Sequence, residues 1–256
     1  MILLHRITPF LIGIVTALGF AGLLSLGLHP FAVMGTVLLL VAVLYARLVG
    51  FAPRSFQFWM LFGTPLLFLF SSFGLLLFLE RPLAQAGLGV FVSLFVFFFA
   101  EHVFSYVHVP VNYETYAIEH MSLVMNVASV FFVSVAAFGT RVVLTAFAPL
   151  WLLILVFFAV SLFVIFGTLW ASKVDVGHAR LYALCGAVIV TEIFMAVTYL
   201  PTGFYTNAAL IALTAYLFLG LTRAHFVEKL SPSIVRRYVV TSTLLLAAIL
   251  GTSQWT

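Results

Sequence analysis

The chain has 256 residues, of which 65% are hydrophobic and 7% charged, and its formal net charge is +4. A soluble domain carries roughly a quarter charged residues, so this composition excludes a soluble globular protein and predicts that lipid solvates most of the chain. The small positive charge does not indicate nucleic-acid binding, and the single cysteine excludes internal disulfides and multi-cysteine metal sites.

The apolar segments predict an all-α fold, a polytopic transmembrane helical bundle of about nine spans in one integral membrane domain over residues 1–256. A helix needs roughly 20 predominantly apolar residues to cross the bilayer. Only short loops separate the segments, which leaves no room for a soluble catalytic or nucleotide-binding domain. The predicted spans are 7–28, 31–49, 57–79, 86–106, 119–139, 143–170, 181–200, 203–222 and 234–253.

The first segment resembles a signal peptide at its start, where His5 and Arg6 precede an apolar run. The run is longer than a usual signal-peptide core, and no A-x-A cleavage site follows it, so we expect a retained first span. Pro30 predicts where this span ends, because proline lacks an N–H group and biases the preceding residue away from the helical conformation. The sixth segment, 143–170, is long enough that we expect it to tilt.

The positive charges predict the orientation of the bundle. With the N-terminus inside, nine of the eleven Lys and Arg residues fall in inside segments and two in outside loops. Such a bias favours an inside N-terminus. The inside loop around 107–118 contains no Lys or Arg, so a missed or false span there would change the prediction.

The fourth and fifth spans each carry a Glu-His dipeptide, Glu101-His102 and Glu119-His120. Helical spacing puts Glu101 on one face with Ser105 and His108, and Glu119 on one face with Ser122 and Asn126. The two spans form a predicted hairpin, whose polar faces could meet at one membrane depth. One interpretation is a hairpin end in contact with headgroups and water. The other is a proton or substrate path.

A metal site at these dipeptides is disfavoured by their spacing. Adjacent helical residues point about 100° apart, so one ion cannot easily take both ligands from one helix. Di-metal helical bundles use Glu-x-x-His instead. We therefore predict no metal and no cofactor, although mixed ligation by His102 and Glu119 stays open.

Glu192 lies close to the middle of the seventh predicted span. Ionisable residues inside spans are costly and indicate function by default. Glu192 is either a proton- or cation-coupling carboxylate, or a neutral side chain that hydrogen bonds across a helix interface near Thr191.

The most basic segment precedes the last span. Positive-inside topology explains its charge, and contact with anionic lipid headgroups is the alternative. The candidate headgroup residues are Arg223, Lys229, Arg236 and Arg237.

The stretch "LPTGFYTNAALIALTAYLFLGLTRAHFVEKLSPSIVRRYVV", residues 200–240, resembles stretches of uncharacterised bacterial multi-pass membrane proteins. The resemblance implies a helical protein integral to the cell membrane, and no activity is attached to it.

These observations favour a non-enzymatic multi-pass protein, either a transport-type bundle or a membrane assembly component. Its path would use Glu192, Glu101 and His102. The alternative is a membrane enzyme that acts on a lipid-linked substrate, with acid–base chemistry at the two Glu-His dipeptides. The expected partners are the lipid bilayer, anionic lipids and other membrane subunits.

Overall fold

A computed structural model describes residues 2–25, 29–114, 116–143 and 149–253 of the chain. In these ranges nine helices are long and apolar enough to cross a membrane, which confirms the predicted all-α fold and the number of spans. The nine helices are α1 (Ile2–Ser25), α2 (Pro30–Val49), α3 (Phe56–Leu76), α4 (Pro82–His108), α5 (Ala117–Val143), α6 (Leu150–Ala171), α7 (Val176–Val197), α8 (Phe204–Phe226) and α9 (Pro232–Thr252).

Prolines and capping side chains set several helix starts. Pro30, Pro82 and Pro232 begin α2, α4 and α9, at the position where a missing N–H group costs nothing. Asp175 caps α7 by accepting from the backbone N–H groups of Gly177 and His178. Ser231 caps α9 in the same way, from the N–H of Ile234.

The predicted span 143–170 is wrong at its start. α5 continues to Val143, and α6 begins at Leu150 after Pro149, so α6 has 22 residues and is of ordinary length. Hydropathy does not detect this break because the chain stays apolar through it. Residues 26–28, the predicted end of the first span, lie outside the described ranges.

The chain divides into two compact units, Met1–Met125 and Asn126–Thr256, with the boundary inside α5. In the first unit α1 packs against α2 and α4, and α3 packs against α2 and α4. A Cβ atom added to Gly89 of α4 would lie 2.9 Å from the Cβ of Phe20 of α1, so a glycine is needed for this close approach. Tyr45 of α2 is fully buried, and its hydroxyl donates to the Val96 carbonyl of α4 at 2.8 Å.

In the second unit α6 packs against α7 and α8, α7 against α8, and α8 against α9. Gly186 of α7 makes room for the Phe218 ring of α8. Ser242 is the one buried residue of α9, whose other side chains are half-buried or exposed. The single integral domain expected over the whole chain stays a prediction.

Candidate functional site

Four residues of α1 and α4 form the α1–α4 polar cluster: His5, Arg6, Glu101 and His108. Arg6 Nη1 lies 3.4 Å from Glu101 Oε2, and the Glu101 side chain is only 19% exposed. The Arg6 guanidinium also lies over the Phe104 ring, 5.3 Å from its centroid. The cluster therefore holds an ion pair within the ends of two candidate spans.

The two histidines of the cluster stack on each other. Their ring centroids are 4.5 Å apart and the ring planes differ by 18°. His108 Nε2 lies 2.9 Å from the Leu48 carbonyl. Because a carbonyl oxygen can only accept, Nε2 carries the hydrogen, and the Nδ1 atom of neutral His108 is left as an acceptor.

Two polar atoms of the cluster, Glu101 Oε1 and His5 Nδ1, are buried and have no hydrogen-bond partner among the residues that the structure describes. A buried polar group without a partner costs free energy and calls for an explanation. Both atoms belong to side chains that can bind and release a proton.

The spacing correctly places Glu101 and His108 on one face of α4, since both contact α1. Sequence reasoning missed His5 and Arg6 as members of the cluster and treated them as N-terminal flanking charges. The signal available was an Arg and a His in the first turns of a span. Which helix packs beside those turns is a tertiary property.

The remaining three residues of the two Glu-His dipeptides differ in how deeply they are buried. His102 is half-buried, next to Glu101 on α4, while Glu119 is buried and His120 exposed on α5. The Tyr113 hydroxyl, just before α5, accepts from the N–H of Ile118 at 3.4 Å, and burial raises the pKa of Tyr113. Among the described residues no group of three His, Cys, Asp or Glu side chains is arranged to hold a metal ion.

Asn126 of α5 is the first of several buried polar side chains in the second unit. Its Nδ2 donates to Thr168 Oγ1 at 2.8 Å, and Thr168 Oγ1 donates to the Val164 carbonyl at 2.9 Å. Asn126 is fully buried, and its Oδ1 has no partner within the described ranges. The amide nitrogen thus joins α5 to α6 by a hydrogen bond.

Three phenylalanine rings stack on each other next to two further buried hydroxyl groups. The rings belong to Phe138 of α5, Phe157 of α6 and Phe194 of α7. Phe194 lies 5.0 Å from Phe138 and 4.4 Å from Phe157, in nearly parallel planes. Ser161 follows Phe157 by one turn of α6, and Thr191 precedes Phe194 by one turn of α7. Because α6 and α7 run in opposite directions, Ser161 and Thr191 lie on the same side of the stacked rings. Both hydroxyls are buried, and neither has a hydrogen-bond partner in the ranges that the structure covers. From the sequence, Thr191 is predicted only as a neighbour of Glu192, and Ser161 is not predicted.

Glu192 is exposed and points away from this core. It lies five residues before the end of α7, which runs from Val176 to Val197, so its predicted position close to the middle of the span is wrong. It precedes the buried Phe194 by two residues, which places it about 200° around α7. Within the described part of the chain it makes no hydrogen bond or ion pair. Its expected roles in coupling or in hydrogen bonding across an interface stay predictions, as does a path that includes Glu101 and His102.

The four candidate headgroup residues lie at the connection between α8 and α9. One is in the last turn of α8, one in the loop and two in the early turns of α9, and the latter three are exposed. Contact with lipid headgroups stays a prediction for Arg223, Lys229, Arg236 and Arg237.

No protein-family model matches the chain, and neither a curated protein nor a solved structure matches it. The resemblance of residues 200–240 to bacterial multi-pass proteins therefore identifies no family.

Proposed function

We propose that this multi-pass membrane protein is a transport-type bundle that carries protons, and that the α1–α4 polar cluster is one station of the proton path. The proposal rests on one observation: a carboxylate and an imidazole within candidate spans each keep a buried polar atom that has no hydrogen-bond partner in the described part of the chain. Both groups exchange protons, and histidine does so close to physiological pH.

The cluster supports proton transfer by its chemistry. Arg6 supplies a positive charge beside Glu101, which offsets the cost of holding a carboxylate at this depth. Glu101 Oε1 is left to accept a proton, and the stacked histidines offer a second pair of exchangeable sites. Ionisable residues in proton-moving membrane proteins are arranged in such relays.

Proton flux in proteoliposomes tests the proposal. Vesicles that hold the purified protein and a trapped pH-sensitive dye are given a potassium diffusion potential with valinomycin. We expect a flux above that of empty vesicles, reduced about tenfold or more in Glu101→Gln, because the amide cannot exchange a proton.

Glu80→Gln is the matched control, since it removes an exposed carboxylate from the loop before α4 with the same change in charge. We expect the wild-type flux from this variant. A wild-type protein that conducts no more than empty vesicles, or equal fluxes from the two variants, would contradict the proposal.

A further inference from the structure

A cavity of about 440 Å³ lies where three spans of the first unit meet the membrane surface. The end of α2, the start of α3, the last turn of α4 and the loop between α2 and α3 form its walls. Its described lining residues all belong to the first unit. We call it the α2–α3 loop cavity, and its lining includes Val49, Ser55, Gln57, Phe58, Tyr106 and Val107.

The polar side chains of this lining are uncharged and uncommitted. Within the described ranges the hydroxyl groups of Ser55 and Tyr106 and the amide of Gln57 make no hydrogen bond. Each of these three groups can both donate and accept. The described lining contains no acidic or basic side chain. A volume of this size with a few converging polar groups beside apolar walls is typical of a ligand pocket, and the lining suits uncharged hydroxyl groups.

The loop beside the cavity is held at the depth of the lipid headgroups. It joins two candidate spans, α2 and α3, so it lies at a membrane surface whichever side is inside. Trp59 Nε1 donates to the Pro53 carbonyl at 2.8 Å, and the Ser55 N–H donates to the Ala52 carbonyl at 2.9 Å. Tryptophan is enriched at this depth in membrane proteins. The molecules that every bilayer supplies there are lipid headgroups.

A positive charge adjoins the cavity. A second cavity, of about 450 Å³, shares Ala52 and Ser55 with the first and is also lined by Arg54. In the part of the chain that the structure describes, the Arg54 guanidinium has no ion-pair partner. Arginine binds phosphate through two parallel hydrogen bonds. A phosphate site next to uncharged polar groups matches a phospholipid whose headgroup carries hydroxyls.

We propose that the α2–α3 loop cavity binds the headgroup of one phospholipid of the phosphatidylglycerol type. Its phosphate lies on Arg54, and its hydroxyl groups lie on the three polar side chains of the lining. A hydroxyl donates and accepts as those side chains do, whereas an ammonium headgroup only donates and is repelled by the nearby Arg54. This inference is independent of the proposed proton transport, because none of these residues belongs to the α1–α4 polar cluster.

Native mass spectrometry of the purified full chain in detergent measures the binding of dioctanoyl lipids. We expect phosphatidylglycerol to bind about five- to tenfold more tightly than phosphatidylethanolamine, phosphatidylcholine or phosphatidic acid, which lack its headgroup hydroxyls. Equal affinities for the four lipids would overturn the proposal. Free glycerol 3-phosphate at the same concentration should not displace the lipid, and displacement would overturn the assignment to a lipid.

A pair of arginine variants tests the location of the phosphate. Arg54→Gln removes the charge beside the cavity, and Arg81→Gln removes an exposed charge from the connection at the other end of α3. We expect phosphatidylglycerol to bind about tenfold more weakly to Arg54→Gln and as in wild type to Arg81→Gln. Equal affinities of the two variants would overturn the site.

Tyr106→Phe tests the contact with the headgroup hydroxyls. It removes one hydroxyl group and keeps the ring, which contacts the Tyr113 ring at 5.2 Å. We expect the preference for phosphatidylglycerol over phosphatidic acid to fall about threefold, because the phosphate contact is unchanged. A preference that stays at the wild-type value in both Tyr106→Phe and Gln57→Leu would overturn the assignment of the headgroup to this cavity.

Discussion

A polar side chain within a span takes its role from the direction in which it points. Glu101 points at Arg6 of α1 and is largely buried, whereas Glu192 points away from its own unit and is exposed. Asn126 is fully buried and bonds to Thr168 of α6. In the sequence, all three residues are flanked mainly by apolar residues. Their chemistry differs because the rotation of each helix assigns them different surroundings.

Asp175 gives a prediction at the scale of one residue. It lies before α7, outside the spans, and hydrogen bonds from the backbone N–H groups of His178 and Gly177 lower its pKa. The stabilisation by the ionised cap is therefore fully present above the pKa of aspartate in the unfolded chain, ordinarily about 3.9. It is lost as the pH falls through the lower folded value. We expect Asp175→Ala to unfold at a lower temperature than wild type near pH 7, with the difference closing toward about pH 3.

Tryptophan fluorescence during heating in detergent measures this difference. Asp175→Asn is the control, because asparagine caps a helix without titrating. A gap between wild type and Asp175→Ala that stays constant over the pH range would contradict the assignment of the ionised cap.

At the scale of the element, close helix contacts depend on small residues at particular positions. Gly89 of α4 and Gly186 of α7 each lie against an aromatic side chain of a neighbouring helix. Gly87, two residues before Gly89 on the same helix, has open space where a Cβ would be. Helix packing in lipid relies on such close approach, since lipid tails solvate apolar side chains as well as neighbouring helices do.

The two glycines of α4 make a matched pair of variants. In Gly89→Ala the new methyl would meet the Cβ of Phe20 at 2.9 Å, and a Cβ atom cannot turn away from its backbone, so α1 must shift. We expect a loss of about 1–3 kcal/mol in the free energy of unfolding. Gly87→Ala should be neutral or stabilise by up to about 1 kcal/mol, because alanine favours the helix. Unfolding in mixed detergent micelles compares them, and equal stabilities would contradict the packing of α1 on α4.

At the scale of the whole molecule, the prediction of one orientation rests on charge alone. Nine of the eleven Lys and Arg residues fall on the side predicted to be inside. Arg6 near the start of α1 meets Glu101 near the end of α4, so these two spans run in opposite directions whichever side is inside. The orientation itself stays a prediction.

Accessible cysteines at the two ends of α8 test the orientation. In the Cys185→Ser background, Gly203→Cys precedes α8 and Lys229→Cys follows it, and both positions are exposed. A membrane-impermeant maleimide added to intact cells should label Gly203→Cys and leave Lys229→Cys unlabelled until the cells are broken. The reverse pattern would show that the N-terminus lies outside.

Whether a feature can be predicted from the sequence depends on how far apart in the chain the interacting residues lie. Helical spacing correctly placed Glu101 and His108 on one face, because positions seven apart on a helix always lie close in angle. The start of the sixth helix was wrong, because an apolar chain gives no contrast where α5 ends before Pro149. Arg6 was missed because its partner, Glu101, is remote in the chain.

The apolar segments alone were enough to predict a helical membrane protein, and nine candidate spans lie in the described ranges. That prediction succeeds because each apolar segment transfers into lipid on its own and each helix satisfies its own backbone hydrogen bonds. The contact of Arg6 with Glu101, the stacking of His5 on His108 and the outward position of Glu192 became known from the three-dimensional arrangement. These results depend on which helices are neighbours and how each is rotated, and lipid leaves both to side-chain packing.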